Sequence, residues 1–450
     1  MDLDKLRQGV KFQNKAPVNG RELTADDVVF NFKRAVASPN STWYNSKTTI
    51  TKIDKYTVRF DLAAPNLEPM TIGFTDLVIG APEIAQQYGD MTNWKTIVGT
   101  GPFTVTDVVT DSSITYTRNP DYWAHDPLLP QNQLPYLDRL VALVIIDPAT
   151  QDAALRTGKT DRLGLTKQRT DAMLKTTPYL KQRPYANPSS NVLSVRLDLK
   201  DKPYADVRVR QALMMAIDNK AIADSYYEGD ATIMQWPFQP AMGSVYTPLE
   251  QLPPNDRQLY EYHPDLAKQL LAQAGYPNGF NITITLLTGT YAGGVDLYSI
   301  VKDNWDAVGV KTTLQVLEAG AFWSVVLGRT YQDTVATNWG YGTLINAMQA
   351  YDPTYPYNYS KVNDPHITQV WTDAQKMTDI TARNKVLKDL GVYMIDQVYW
   401  LNLPTPQVHM LWQPWVKGYN GEVSFGTANG WYGMYRFIWI DQKLRNASPH

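Results

Sequence analysis

The chain has 450 residues, 44% of them hydrophobic, with 42 Lys and Arg against 44 Asp and Glu for a formal net charge of −2. That length corresponds to about three compact units or one large two-lobed body, and the balanced charge leaves no footprint for a nucleic-acid polyelectrolyte. Cysteine is absent, which excludes disulfides, thiolate nucleophiles and Cys-ligated metals, and no apolar run approaches the roughly 18–20 residues that span a bilayer.

Thr24 is a good N-cap, and Asp27, three residues on, suits the positive end of a helix dipole. Val28, Val29, Phe32, Ala35 and Val36 then recur at helical spacing until Pro39, which predicts a helix. Residues 50–63 read as two short strands, with Tyr56, Val58, Phe60 and Leu62 on one face of the second. Gly99-Thr100-Gly101-Pro102 is a turn feeding a strand over 103–109, with 113–118 as its partner. The continuous apolar run 140–146 predicts a strand buried on both faces.

From 191 to 199 the period is two: Leu193, Val195, Leu197 and Leu199 share one face, while Ser194, Arg196 and Asp198 share the other. A capped helix follows from Asp206, with Val209, Leu213, Ala216 and Ile217 as its apolar stripe. Pro264 and Gly275 bracket another helix. Next come a strand at 282–286, a helical stripe from Leu297 to Val308 closed by Gly309, and a strand at 310–316. A helix over 381–399 and a strand at 401–403 complete the pattern. The first half is strand-rich and residues 204–408 alternate helix with strand, so the chain is mixed α/β with at least two lobes.

The usual signatures of chemistry are missing. His125, His263, His366, His409 and His450 form no i,i+4 pair and no His-Glu-x-x-His, so neither a metal site nor a cofactor is expected. There is no Gly-x-Ser-x-Gly elbow and no Walker A sequence. No residue is assigned a catalytic role; a carbohydrate-active hydrolase with an Asp/Glu pair stays open as a reading of another class. The 28 Tyr and 13 Trp outnumber 11 Phe, a bias toward rings with one apolar side and one polar tip.

Several segments, in order, resemble the extracytoplasmic solute-binding proteins of family 5, the peptide/nickel class serving ABC importers. They are Leu6-Arg-Gln-Gly-Val-Lys-Phe12, Leu23-Thr-Ala-Asp-Asp-Val-Val-Phe30, Gly99-Thr-Gly-Pro-Phe103 and Arg118-Asn-Pro-Asp-Tyr-Trp123. Tyr204-Ala-Asp-Val-Arg-Val-Arg-Gln-Ala-Leu213 with Ala216-Ile-Asp218, Ala267-Lys-Gln-Leu-Leu-Ala-Gln-Ala-Gly-Tyr276, Val308-Gly-Val310 and Trp415-Val-Lys-Gly-Tyr419 follow. The resemblance implies an α/β, two-lobe periplasmic-binding-protein-like fold (type II, cluster C) with mixed sheets and an extra subdomain in the first lobe. Lobe I is expected at 1–203 and 409–450, with 1–132 as the strand-rich extra subdomain, and lobe II at 204–408. The crossings are expected at 198–203 and 404–409, each containing Pro. Family members carry an export signal and several strands ahead of the segment at 6–12, so part of the first lobe is expected to be missing from the front.

The function implied is capture of a peptide or similar small polar solute between hinged lobes, without catalysis, and delivery to ABC permease subunits. An oligosaccharide ligand is the alternative within the same architecture. The protein is expected to act as an extracytoplasmic monomer, with no nucleic-acid partner. Seven residues are candidate ligand contacts. Trp339, at a strand end, and Tyr341 stand on the segment that resembles the family's cleft wall; peptide-binding relatives have an aspartate where Gly342 stands here. Arg196 and Asp198 are the charged residues on the polar face of their strand, Trp236 and Phe238 are expected as exposed-loop aromatics, and Gln407 lies on the second crossing.

Overall fold

A computed structural model describes residues 2–37, 49–61, 77–187, 189–234, 236–289, 291–339, 344–355, 357–422 and 433–448. The chain separates into two compact units, Met1–Pro184 with His409–His450, and Tyr185–Val408. The outward passage therefore lies at 184/185 rather than 203/204. The reason is pairing: the strand Ser190–Val195 is hydrogen-bonded on both edges by strands of the second unit. The segment 198–203 lies inside that unit.

The second unit is built on one five-stranded mixed sheet in the order Val310–Leu317, Phe280–Leu287, Thr334–Trp339, Ser190–Val195, Trp400–Asn402. The first three strands run parallel, and Ser190–Val195 is antiparallel to both its neighbours. Both faces are covered. Leu193, Val195, Ile284, Ala336 and Leu401 belong to one apolar cluster with the helices Val207–Met215, Pro264–Gln273 and Gly294–Ala307. Val192, Val335, Trp339 and Trp400 belong to the other, with Ala319–Leu327 and Ile380–Gln397. The alternation along each strand sorts residues between the two clusters, as the pleat requires.

The predicted period-two run ends earlier than its pattern, at Val195. The Arg196 N–H donates to Asp333 O, the Leu199 N–H turns back to Arg196 O, and Leu197 packs with the opposite cluster from Leu193. The Asp206 side chain caps the helix Val207–Met215 through Arg208 N–H. Arg210, within the family-like stretch, is buried and donates to the carbonyls of Gln397, Val398, Tyr204 and Ala205. It thus satisfies the end of the helix Ile380–Gln397, where a cation is favoured by the dipole. Burial lowers its pKa to about 10.

Among the described residues the first unit holds three three-stranded sheets and the short pair Val416–Lys417 with Trp439–Ile440. Asp2–Lys5, Thr57–Asp61 and Thr49–Asp54 form one, packed by Phe32 and Ile84. Its helix Ala25–Ala37 starts as expected, with Asp27 Oδ2 accepting from Thr24 N–H. Phe103–Val109, Ser113–Arg118 and Arg139–Leu143 form the second, and Arg162–Leu165, Val408–Trp412 and Lys181–Tyr185 the third. The run 140–146 corrects its expectation: the strand is Arg139–Leu143, among the described residues it pairs on one edge only, and Leu143 is 45% and Ile146 85% exposed. It is an edge, not a buried centre. Among the described residues no helix is long and apolar enough to cross a membrane.

Candidate functional site

The aromatic residues of the second unit converge where the strand Thr334–Trp339 ends. Trp339 is 8% exposed, and its ring centroid lies 5.9 Å from Trp236, 5.7 Å from Trp400, 5.9 Å from Tyr359 and 6.1 Å from Tyr355. Three of these contacts are nearly perpendicular, at 84°, 89° and 86°, the edge-to-face geometry that ring quadrupoles prefer. Trp236 lies almost flat on Tyr351, 6.0 Å away at 14°, and its Nε1–H donates to Tyr351 Oη at 2.9 Å. Every ring in the nest is thereby held by others. The Trp339 Nε1–H, like that of Trp400, finds no acceptor among the described residues.

Two expectations about the loop at 236–240 are corrected in their surroundings. Trp236 and Phe238 are not exposed; they are core side chains, 2% and 3% accessible. Phe238 lies on the helix Ile380–Gln397 at Gly391, where a Cβ would stand 2.7 Å from its ring. A glycine in mid-helix is costly to helix propensity, and here it makes room for that ring.

Arg196 and Asp198 face each other. Arg196 donates from Nε and Nη2 to the two Asp198 oxygens, both at 2.8 Å, and from Nη1 to Tyr331 O at 2.8 Å. Lys361 Nζ adds a contact to Asp198 at 2.9 Å. The Arg196 guanidinium, seconded by Lys361, holds the Asp198 carboxyl far below the usual carboxylate range. Neither charge is free for a guest. Their link to the nest is indirect: the Tyr331 hydroxyl donates to Tyr359 O, and Tyr359 packs on Trp339. Gln407 is half-buried, its N–H given to Asp230 O beside the short pairing of 231–232 with 405–406. Tyr341 lies outside the described residues.

Sequence reasoning missed Trp400, Tyr331, Tyr351, Tyr355, Tyr359 and Asp333. Tyr351, Tyr355 and Tyr359 fall with Tyr357 inside nine residues, 351–359, and that density was the available signal. Asp333 is buried and accepts from Tyr204 Oη, Lys202 Nζ and Thr283 N–H. It joins the Tyr204 turn to two strands, a role no spacing reveals. Among the described residues no three His, Asp or Glu side chains form a metal-holding group.

Residues 5–362 match the family described as bacterial extracellular solute-binding proteins, family 5 Middle. This chain belongs to that family. It is a solute-binding protein and not an enzyme. Relatives include Heme-binding protein A of Haemophilus influenzae, 28% identical over 92% of this chain and 78% of its own length. The Dipeptide-binding protein of Escherichia coli is 27% identical over 92% of this chain and 79% of its length. The same fold occurs in the oligopeptide-binding AppA of Bacillus subtilis in complex with a nonapeptide (TM-score 0.82, 20% identity, 97% of this chain and 86% of that one). DppA of Helicobacter pylori in complex with the peptide STSA also shares it (TM-score 0.80, 23% identity, 98% and 86%). The two-lobe architecture of the family 5 binding proteins is thus the fold of this chain.

Proposed function

We propose that this protein is the capture component of an ABC importer, taking up a peptide-class solute outside the cytoplasm and handing it to the permease. The observation that carries the reading is Trp339, a buried indole at a strand end whose N–H finds no acceptor among the described residues. A peptide carbonyl is a natural acceptor for it. Trp236 and Phe238 serve as the wall that fixes Trp339, and Arg196, Asp198 and Lys361 brace it through Tyr331 rather than pairing with a ligand charge. Gln407 is kept as a polar contact from the second crossing.

Magnitudes allow this without a salt bridge. Covering about 75 Å² of an indole face yields about 2 kcal/mol, and micromolar affinity requires about 8 kcal/mol. Two or three such faces with main-chain hydrogen bonds supply that after ordering costs. A second reading, a flat aromatic ligand such as hemin, is favoured by the same uncharged ring-lined surroundings and by the relationship to Heme-binding protein A.

Tryptophan fluorescence and calorimetric titration with di- and tripeptides, a cello-oligosaccharide and hemin test these readings. Micromolar binding of a peptide, weakened at least tenfold in Trp339→Phe with the melting temperature nearly unchanged, is expected. Saturation by hemin alone selects the second reading, and silence across the panel removes both.

A further inference from the structure

Behind the aromatic nest, the second unit holds a partly enclosed cavity with about 10 Å³ open to the centre of a water molecule, lined by Trp236, Tyr260, Tyr351, Met394, Trp400 and Asn402 among others. That is about the space a single water needs. Its polar lining is unbalanced. Trp400 is 2% exposed and its Nε1–H has no acceptor among the described residues; Asn402 is 5% exposed and its Oδ1 has no donor among them. The two stand two apart on the strand Trp400–Asn402, so their side chains leave the same face.

The orientation of the Asn402 amide is fixed by its other end. Nδ2 donates to Trp236 O at 3.2 Å and to Tyr260 Oη at 3.3 Å, and a flipped amide would set its oxygen against the Trp236 carbonyl. Both Nδ2 hydrogens are then used, and the Tyr260 hydroxyl, accepting from Asn402, keeps its own hydrogen to give. One acceptor and two donors thus belong to residues that line the cavity. A water molecule donates once and accepts twice in such a setting, the usual three bonds of a buried water, whereas leaving all three groups unpaired in an apolar interior is costly.

We propose that this cavity is a binding site for a single buried water, held by Trp400 Nε1, Asn402 Oδ1 and Tyr260 Oη. The water is a structural part of the nest: the Trp400 ring packs 5.6 Å from Trp236 and 5.7 Å from Trp339, so fixing its indole fixes the partner of Trp339. Only that last consequence rests on the proposed role of Trp339; the water site does not.

The test is a crystal structure of the full chain at about 2 Å or better, with an indole ¹⁵N NMR spectrum in which Trp400 is assigned through W400F. One density peak at about 2.7–3.2 Å from both Trp400 Nε1 and Asn402 Oδ1 is expected, together with a cross-peak from the Trp400 indole hydrogen to a long-lived water. In W400F, which keeps the ring shape and loses the donor, the peak should be lost or drop in occupancy. An empty cavity, or one that fills with xenon under pressure, overturns the proposal, and both are read on the unaltered chain whether or not the variant folds. A water found in a protein that binds no peptide leaves the inference standing and removes the functional reading. A dry cavity in a peptide-binding protein does the reverse.

Discussion

Two stretches of the molecule carry nearly the same apolar message and meet opposite fates. Ser190–Val195 in the second unit and the run from Arg139 onward in the first are both short and rich in Val and Leu. The first is buried at every residue because sheet partners occupy both edges and helices cover both faces. The second has one partner strand among the described residues, and Val141, Leu143, Val144 and Ile146 remain exposed. Burial is therefore set by neighbours far away in sequence, and an apolar run states only what a strand can tolerate.

The sharpest way to break this comparison is to shorten one leucine in each strand. Leu193→Ala, at a fully buried site, should cost about 3 kcal/mol. Leu143→Ala should stay within about 0.5 kcal/mol. Urea denaturation followed by probes in each unit, since two units need not unfold as one, reads the difference. Equal losses would mean that Leu143 is covered in solution and that the contrast is false.

A second contrast lies in charge. Asp256 is buried, and desolvation together with the nearby Asp396 raises its carboxyl from 3.8 to about 6. The folded protein then holds a proton that the unfolded chain releases near pH 4, so this group's contribution to stability is greatest below that pH and falls as pH rises toward 6. The loss amounts to about 2–3 kcal/mol and stays constant above. Asp256→Asn should flatten the stability curve between pH 4 and 6, measured by denaturant midpoints at each pH. An unchanged slope would show that the carboxyl titrates normally.

Next in size is Gly391→Ala. Helix propensity alone favours the change by about 1 kcal/mol, but the added methyl meets the Phe238 ring at 2.7 Å. Overpacking should win by about 1–2 kcal/mol, with Phe238→Leu restoring part of it in the double variant. A stabilised single variant would place Phe238 away from the helix, as its sequence surroundings imply.

Local rules were readable wherever neighbours in sequence decide the outcome. The cap at Asp206, the helix Pro264–Gln273 ending before Gly275, and the strand Val310–Leu317 are where spacing puts them. The boundary of the second unit was not, because the strand Ser190–Val195 owes its membership to partners some 140 and 210 residues away. Of the candidate site, Trp339 was singled out by its place at a strand end and by resemblance, but that its N–H finds no acceptor among the described residues depends on what Trp236, Tyr355, Tyr359 and Trp400 leave open. Trp236 and Phe238 read as loop aromatics because the sequence around them is turn-like, and only the helix carrying Gly391 makes them core.

The smallest effect bears on whether Arg196 and Asp198 brace the nest or reach a ligand. Asp198 is about one-third exposed, and solvent screening limits its pair with Arg196 and Lys361 to about 1 kcal/mol. Asp198→Asn should lower stability by that amount, and less at high salt, while peptide affinity changes by under threefold. If affinity instead falls tenfold at unchanged stability, the carboxylate touches the guest. The charged pair would then belong to the binding surface, and the uncharged, ring-lined account of the second unit would have to give way.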